Sequence, residues 1–404
     1  MALPAGQALL GCLPALSAAL AGDGPALLPH PLDAPPPAAL HPGEALAPGE
    51  DDDADPTAVV VATSGSTGPA KGALLTASAL LASASATHDR LGGPGRWLLA
   101  LPPAHVAGIQ VLVRCLVGGT EPTVLDLSGG FDAAGFAAAA ARTAGPRRYT
   151  ALVPTQLTRL LDGGPEGVAA LAGFDAVLAG GGATPPALRE RAGAAGVRLV
   201  TTYGMTETCG GCISDGLPLD GVRTRLGGGE PDDETRVWLG GPVVARGYRS
   251  DPAATAASFR TDPQGLRWYR TDDAGRFAPG GRLEILGRLD GMVVTGGRKV
   301  SPALVEAALL AVPGVAEAAV LGVEDPEWGQ RVVAAVVPAA GGSAPDLDDV
   351  RARVGADLGS HAAPRQLLVL DRLPLRGPGK PDLAALAGLA RDAAELGAAT
   401  DGRG

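Results

Sequence analysis

From residue 57 onward, short apolar runs alternate with segments that read as helices. TAVVVAT (57–63), RWLLAL (96–101), PTVLDL (122–127), YTALV (149–153), DAVLAGG (175–181) and VRLVTTYG (197–204) are too short and too apolar for surface helices. A strand without a polar face is a strand covered on both sides. Between these runs lie a segment near 76–90 and then AGIQVLVRCL, FDAAGFAAAAART, TQLTRLL and PPALRERAGAAG. The alternation predicts an α/β fold of mostly parallel sheets covered by helices. Aromatic residues make up only 3% of the chain, so its core must be built from Ala, Val and Leu.

After about residue 220 the pattern changes. Short strands with Gly turns dominate to about 287, predicting a small β-rich subdomain. From 302 the chain reads helix (302–311), strand (315–323), strand (331–338), helix (346–358), strand (365–370) and helix (381–396), a small α+β domain. This divides the 404 residues into a large domain over 1–287 and a small one over 288–404, with the junction near Asp290. The apolar N-terminus, MALPAGQALLGCLPALSAAL, has no basic residue before Leu9-Leu10-Gly11-Cys12. The signal-peptide pattern therefore fails, and a first helix packed on the body is expected. Residues 29–56, rich in Pro and acidic residues, read as an exposed connector. No apolar run reaches the roughly 20 residues of a membrane span.

A net charge of -10 argues against nonspecific nucleic-acid binding and against an anionic membrane surface. Any polyanionic ligand must meet a local cluster of donors. The four cysteines, Cys12, Cys115, Cys209 and Cys212, are too few for a disulfide scaffold and fit a reducing cytoplasm. Cys209-Gly-Gly-Cys212 has zinc-knuckle spacing, but no second Cys or His pair matches it.

Of 33 basic residues only three are lysines, and each sits in a glycine-bearing motif: Lys71 in TSGSTGPAKG, Lys299 in TGGRKVSP and Lys380 in LPLRGPGKPD. A compact ammonium on a flexible stem is not replaceable by the planar guanidinium. These positions point to phosphate. Thr63-Ser64-Gly65-Ser66-Thr67-Gly68-Pro69-Ala70-Lys71-Gly72 is read as a loop between a strand and a helix, where backbone N–H groups and hydroxyls make an anion-binding concavity. It is not a Walker A loop, because Ala70 precedes Lys71 and Gly72 follows it. Tyr203-Gly204-Met205-Thr206-Glu207 ends a strand, where open α/β sheets bind ligands. Tyr203 offers a stacking face, Thr206 a hydroxyl and Glu207 a hard oxygen ligand for Mg²⁺. Tyr269-Arg270-Thr271-Asp272-Asp273 and Leu286-Gly287-Arg288-Leu289-Asp290 each bring a carboxylate to a turn, as a ribose requires.

The order TSGSTGPAKG, YGMTET, YRTDD, GRLDGMVVTGGRKVSPALVE, GPGKPD resembles the acyl-adenylate-forming superfamily over residues 57–385. That superfamily holds acyl-CoA synthetases, luciferases and the adenylation domains of peptide synthetases. The resemblance implies that Thr63, Ser64, Gly65, Ser66, Thr67, Gly68 and Lys71 hold the β- and γ-phosphates of ATP. Gly180, Gly181, Gly182, Tyr203 and Gly204 would flank adenine, Thr206 would meet the α-phosphate and Glu207 would bind Mg²⁺. Asp273 would take the ribose, although Asp272 stands where the family has glycine. Arg288 would assist ribose or phosphate contact, and Asp290 matches the hinge. Gly297 and Lys299 lie where CoA enters, and Lys380 matches the lysine that bridges substrate carboxylate and α-phosphate. His105, Gly108, Thr155 and Gly181 would line the acid pocket. Only 62 residues precede the loop, against well over a hundred in typical members, so the first subdomain must be reduced.

A short chain carrying YGMTETCGGCIS is similar to the o-succinylbenzoate–CoA ligases of menaquinone biosynthesis. The implied activity is ATP-dependent joining of a carboxylic acid, o-succinylbenzoate foremost, to CoA through acyl-AMP. The rivals are another aryl- or acyl-CoA ligase, an adenylation protein that loads carrier-protein phosphopantetheine, and an inactive nucleotide-binding module. A homodimer stands as one option for assembly.

Overall fold

A computed structural model describes residues 1–63, 71–227, 235–339, 344–377 and 380–401, with the backbone alone for 376, 377, 380 and 394–401. The chain forms two compact units. The first takes in Met1–Thr184, Leu188–Thr271 and Phe277–Leu283; the second takes in Pro185–Ala187, Asp272–Arg276 and the chain from Glu284 on.

In the first unit, strands Thr123–Val124, Arg96–Leu99, Arg148–Leu152, Ala176–Ala179 and Leu199–Met205 lie side by side and parallel. Gly210–Ser214 and Leu217–Pro218 extend the sheet antiparallel. The period of two sends alternate residues to opposite cores. Trp97, Leu99, Tyr149, Ala151, Ala176 and Leu178 pack with helices Ala77–Leu91 and Val106–Val117. Leu98, Leu152 and Val177 pack with Phe136, Leu157, Leu160, Leu171 and Leu188 on the other face. The apolar runs are thus buried on both sides, as their composition requires.

Two local readings change. The Gly/Ser/Thr loop does not run from a strand into a helix. It joins antiparallel strands Thr57–Ala62 and Gly72–Thr76, and the helix starts only at Ala77. All five residues Gly72–Thr76 are buried, and Thr76 then caps the helix by accepting from the Ala79 N–H at 3.2 Å, a contact typically worth about 1 kcal/mol. The sequence missed this strand and also the helix Pro165–Ala172. Residues 29–56 are mostly exposed, as expected of a connector, and are tied to the body at several points. Leu40 is buried, Thr57 Oγ1 donates to the Glu50 carbonyl at 2.6 Å, and the Arg249 guanidinium donates to the carbonyls of His41 at 2.8 Å and Glu44 at 2.9 Å. The expected N-terminal helix is present as Leu13–Ala21, with Leu16 buried.

A second sheet pairs Arg223–Leu226, Arg236–Gly240, Arg267–Ala278 and Phe259–Thr261 in that order. Gly247–Tyr248 joins the Gly72–Thr76 edge, completing a three-stranded antiparallel sheet.

The second unit is a sheet ordered Arg298–Val300, Val293–Thr295, Gly329–Pro338, Val315–Asp325, with Gln366–Val369 parallel to Gly329–Pro338. Val332, Ala334 and Val336 face helices Pro302–Leu310 and Leu347–Leu358 through Val305, Leu309, Val350 and Val354. Val333 and Ala335 face Leu386 and Ala390 of Leu383–Asp401. Among the described residues no helix is long and apolar enough to cross a membrane.

Candidate active site

The parallel strands of the first unit end together, and the residues after them converge on one edge. This is where doubly wound sheets bind ligands. After Arg96–Leu99 comes Leu101-Pro102-Pro103, then His105 at the start of helix Val106–Val117. His105 is exposed and Gly108 is buried one turn on. After Arg148–Leu152 comes Thr155, exposed in the first turn of Pro154–Asp162. After Ala176–Ala179 come Gly180, Gly181 and Gly182, and the Gly180 N–H donates to the Leu152 carbonyl at 3.1 Å. Leu199–Met205 carries half-buried Tyr203, then Gly204.

Two glycines are required by close approach. A Cβ on Gly180 would lie 2.3 Å from Thr202 Oγ1, and one on Gly204 would lie 2.1 Å from the Gly210 carbonyl oxygen.

Thr206–Thr208 is a single 3-10 turn closed by Cys209 in the left-handed region, φ 51°. The reversal turns Glu207 inward, leaving it 7% exposed. Tyr248 Oη donates to Glu207 Oε1 at 2.7 Å, and the Tyr248 and Tyr269 hydroxyls lie 3.4 Å apart. Lys71 Nζ stands 5.0 Å from the centroid of the Tyr248 ring. The Thr63 N–H donates to the Lys71 carbonyl at 2.7 Å, closing the base of the loop. Ser64, Gly65, Ser66, Thr67 and Gly68 lie outside the described residues.

Burial pushes the Glu207 carboxyl up; the Tyr248 hydrogen bond and the Lys71 charge oppose it. Burial first, and then the Glu207 charge, push the Tyr248 phenol far above its usual range, so it remains a donor. The cluster is a withdrawn carboxylate, a fixed phenol and an ammonium. Mg²⁺ uses one or two protein carboxylates and takes its other ligands from water and substrate phosphates. A single buried carboxylate, Glu207, is the kind of protein ligand that ion takes. Among the described residues no group of three or more His, Cys, Asp or Glu could hold a metal unaided. Cys209 and Cys212 are free and buried. Burial raises Cys212 to about 12 and Cys209 higher still, so neither is primed as a thiolate ligand or nucleophile.

In the second unit the Arg288 guanidinium donates to both oxygens of Asp290, at 2.8 and 2.6 Å, and stands 3.6 Å from Asp272. The Leu289 N–H donates to the Asp272 carbonyl at 2.7 Å. Hydrogen bonding to Asp290 raises the Arg288 pKa, and the charges of Asp273 and Asp272 add to it. Asp273 is half-buried in Arg267–Ala278. Gly297, φ 74°, lies in the turn between Val293–Thr295 and Arg298–Val300, with Lys299 exposed on the second strand. The Lys380 backbone pairs with Gly377 across a short hairpin.

The structure therefore brings Lys71 and Glu207 together in one unit, and Asp273, Arg288 and Asp290 together in the other. It adds two groups to which the motifs assign no role, the hydroxyls of Tyr248 and Tyr269. The available signal was scarcity, since the chain has four tyrosines in 404 residues and three of them, Tyr203, Tyr248 and Tyr269, fall on these segments.

Residues 16–249 match the AMP-binding enzyme family, and residues 304–380 match the AMP-binding enzyme C-terminal domain. The chain is 48% identical over 393 residues to a probable 2-succinylbenzoate–CoA ligase of Mycobacterium tuberculosis, covering 95% of this chain and 96% of that one. It is similar to the solved o-succinylbenzoate CoA synthetase (MenE) from Bacillus subtilis in complex with the acyl-adenylate intermediate OSB-AMP. There the TM-score is 0.68 at 29% identity, over 81% of this chain and 68% of that one. ATP-bound MatB from Rhodopseudomonas palustris gives a TM-score of 0.71 at 27% identity, over 84% and 69%.

Proposed function

The chain belongs to the AMP-binding enzyme family, and from that premise we propose that it is an AMP-forming acid–CoA ligase acting on o-succinylbenzoate. The observation that carries the substrate is 48% identity along 95% of the chain to a relative named for that acid. The match runs over 96% of that relative's own length.

The reaction has two steps. A carboxylate oxygen attacks the α-phosphorus of ATP, pyrophosphate leaves, and acyl-AMP forms. The CoA thiol then attacks the acyl carbon, and AMP leaves as the thioester forms. No side-chain nucleophile is needed, so catalysis is positioning and charge stabilisation. Lys71 and the 63–72 loop would hold the β- and γ-phosphates. Gly180, Gly181, Gly182, Tyr203 and Gly204 would frame adenine, with Thr206 at the α-phosphate. Asp273 would hold the ribose with Arg288 beside it, and Lys380 would neutralise charge on the reacting carboxylate and phosphate. Glu207 would hold Mg²⁺, which supplies charge neutralisation on the polyphosphate when bound. Gly297 and Lys299 would admit CoA. His105, Gly108, Thr155 and Gly181 would line the acid pocket. We place the reaction in the cytoplasm, which the four free thiols support.

The test is pyrophosphate release across a panel of acids, followed by thioester detection with free CoA. o-Succinylbenzoate should give a far higher kcat/KM than benzoate or palmitate. Preference for a long-chain fatty acid sinks the substrate assignment. Absence of a thioester with free CoA, alongside rapid pyrophosphate release, favours loading of a carrier protein instead.

A further inference from the structure

We propose that Tyr248 is a positioning residue for adenylation, a single phenol that orients the Glu207 carboxylate through its hydroxyl and the Lys71 ammonium through its ring face. The inference rests on the ATP-dependent reading above and deepens it.

Two groups that must meet a polyphosphate come from distant parts of the chain. Lys71 follows the loop, and Glu207 sits on the turn after Leu199–Met205. One short segment ties both. The Ala245 N–H donates to the Glu207 carbonyl at 2.9 Å. The Arg246 N–H donates to the Leu74 carbonyl at 2.9 Å, and the Arg249 N–H to the Gly72 carbonyl at 2.7 Å. Residues 245–249 therefore fix the main chain beneath both charged groups. Tyr248, in register with Ala73, is the side chain that this segment sends between them.

The phenol is itself held. It is 4% exposed, its ring packs edge-on against Phe259 at 5.3 Å, and its hydroxyl lies 3.4 Å from that of Tyr269. A lysine on a four-carbon stem samples many rotamers, and an aromatic face within about 6 Å narrows them. A carboxylate withdrawn from water requires donors, and a hydroxyl at 2.7 Å holds one of its oxygens in a fixed direction. A tyrosine with only a packing role would contribute its ring and leave the hydroxyl dispensable.

Substitution separates the two roles. Tyr248→Phe keeps the ring and removes the donor. It should stay folded at assay temperature yet need about tenfold more Mg²⁺ for half-maximal pyrophosphate release, as the loss of one hydrogen bond to a charged group implies. Calorimetric binding of Mg²⁺–ATP should weaken in step. Thioester formation from supplied acyl-AMP and CoA should be unchanged, because no polyphosphate takes part. Tyr248→Leu also removes the ring face, so it alone should weaken ATP binding measured without divalent ions. On a Glu207→Gln background, adding Tyr248→Phe should leave the Mg²⁺ requirement where Glu207→Gln put it. The proposal is overturned if Tyr248→Phe shifts that requirement equally in both backgrounds, slows both half-reactions alike, or changes neither. Wild-type protein that neither binds Mg²⁺–ATP nor releases pyrophosphate would sink the enzymatic reading itself, and this one with it.

Discussion

At residue scale, the least expected polar group is His88, near the end of helix Ala77–Leu91 and 3% exposed. Its Nε2 accepts from Trp97 Nε1 at 3.4 Å, so the ring is neutral with its proton on Nδ1. Burial, then the charge of fully buried Arg114, hold its pKa at about 4 against an ordinary 6.5; Asp89 opposes them weakly. The sign follows from proton counting. Between pH 6.5 and 4 the unfolded chain binds a proton that the folded chain refuses, so stability falls as pH falls through that window. By pH 5 the loss from this one group is about 2 kcal/mol. His88→Gln keeps an acceptor for Trp97 and cannot charge. Its unfolding midpoint in urea should therefore drop less than the wild type's between pH 7 and pH 5. Equal drops in the two proteins would assign the acid sensitivity to other groups.

At the scale of elements, the site depends on two strands whose backbones nearly touch. Gly204 of Leu199–Met205 faces Gly211 of Gly210–Ser214, and the register shifts between Gly211 and Ile213. Gly204→Ala would force a methyl to 2.1 Å from the Gly210 carbonyl oxygen. The strands must part, and Glu207, on the turn that joins them, must move. We expect a stability loss of roughly 1–3 kcal/mol, as for overpacked cores, and a fall in adenylation well beyond what unfolding explains. Native-like adenylation in a destabilised variant would mean that the turn tolerates displacement. This hairpin also marks what the sequence discloses. YGMTE was readable as a strand end with a carboxylate, because composition and order are local. The hydrogen bond that orients Glu207 comes from Tyr248, 41 residues away, and no local pattern carries it. The Gly72–Thr76 strand was missed for a related reason: it runs without a turn residue into an Ala-rich helix, and only pairing with Thr57–Ala62 makes it a strand. Val315–Asp325 and Gly329–Pro338 were legible because valine recurs along both and a turn separates them. The 165–172 helix was hidden by its flanking glycines, which read as loop.

At the scale of the whole molecule, the three lysines divide between the units: Lys71 belongs to the first, Lys299 and Lys380 to the second. A reaction in two steps gives that division a use. Adenylation needs positive charge on the reacting carboxylate and phosphate, whereas thioester formation needs room for a thiol. We expect Lys380 to serve only the first step and Asp290 to permit the change between steps. Removing one preorganised charged donor from developing phosphoryl charge typically costs on the order of 10²–10³ in rate. Lys380→Ala should lower acyl-AMP formation by about that factor and leave thioester formation from supplied acyl-AMP near the wild-type rate. Asp290→Pro should do the reverse, because proline fixes φ near −65° at the proposed pivot. It also removes the carboxylate that receives both Arg288 donors. Asp290→Asn, which keeps φ free and weakens that pair, is therefore the control. If Asp290→Asn blocks thioester formation as severely as Asp290→Pro, the ion pair and not rotation is responsible. If Lys380→Ala slows both half-reactions equally, alternation between two arrangements is not how this protein separates its steps.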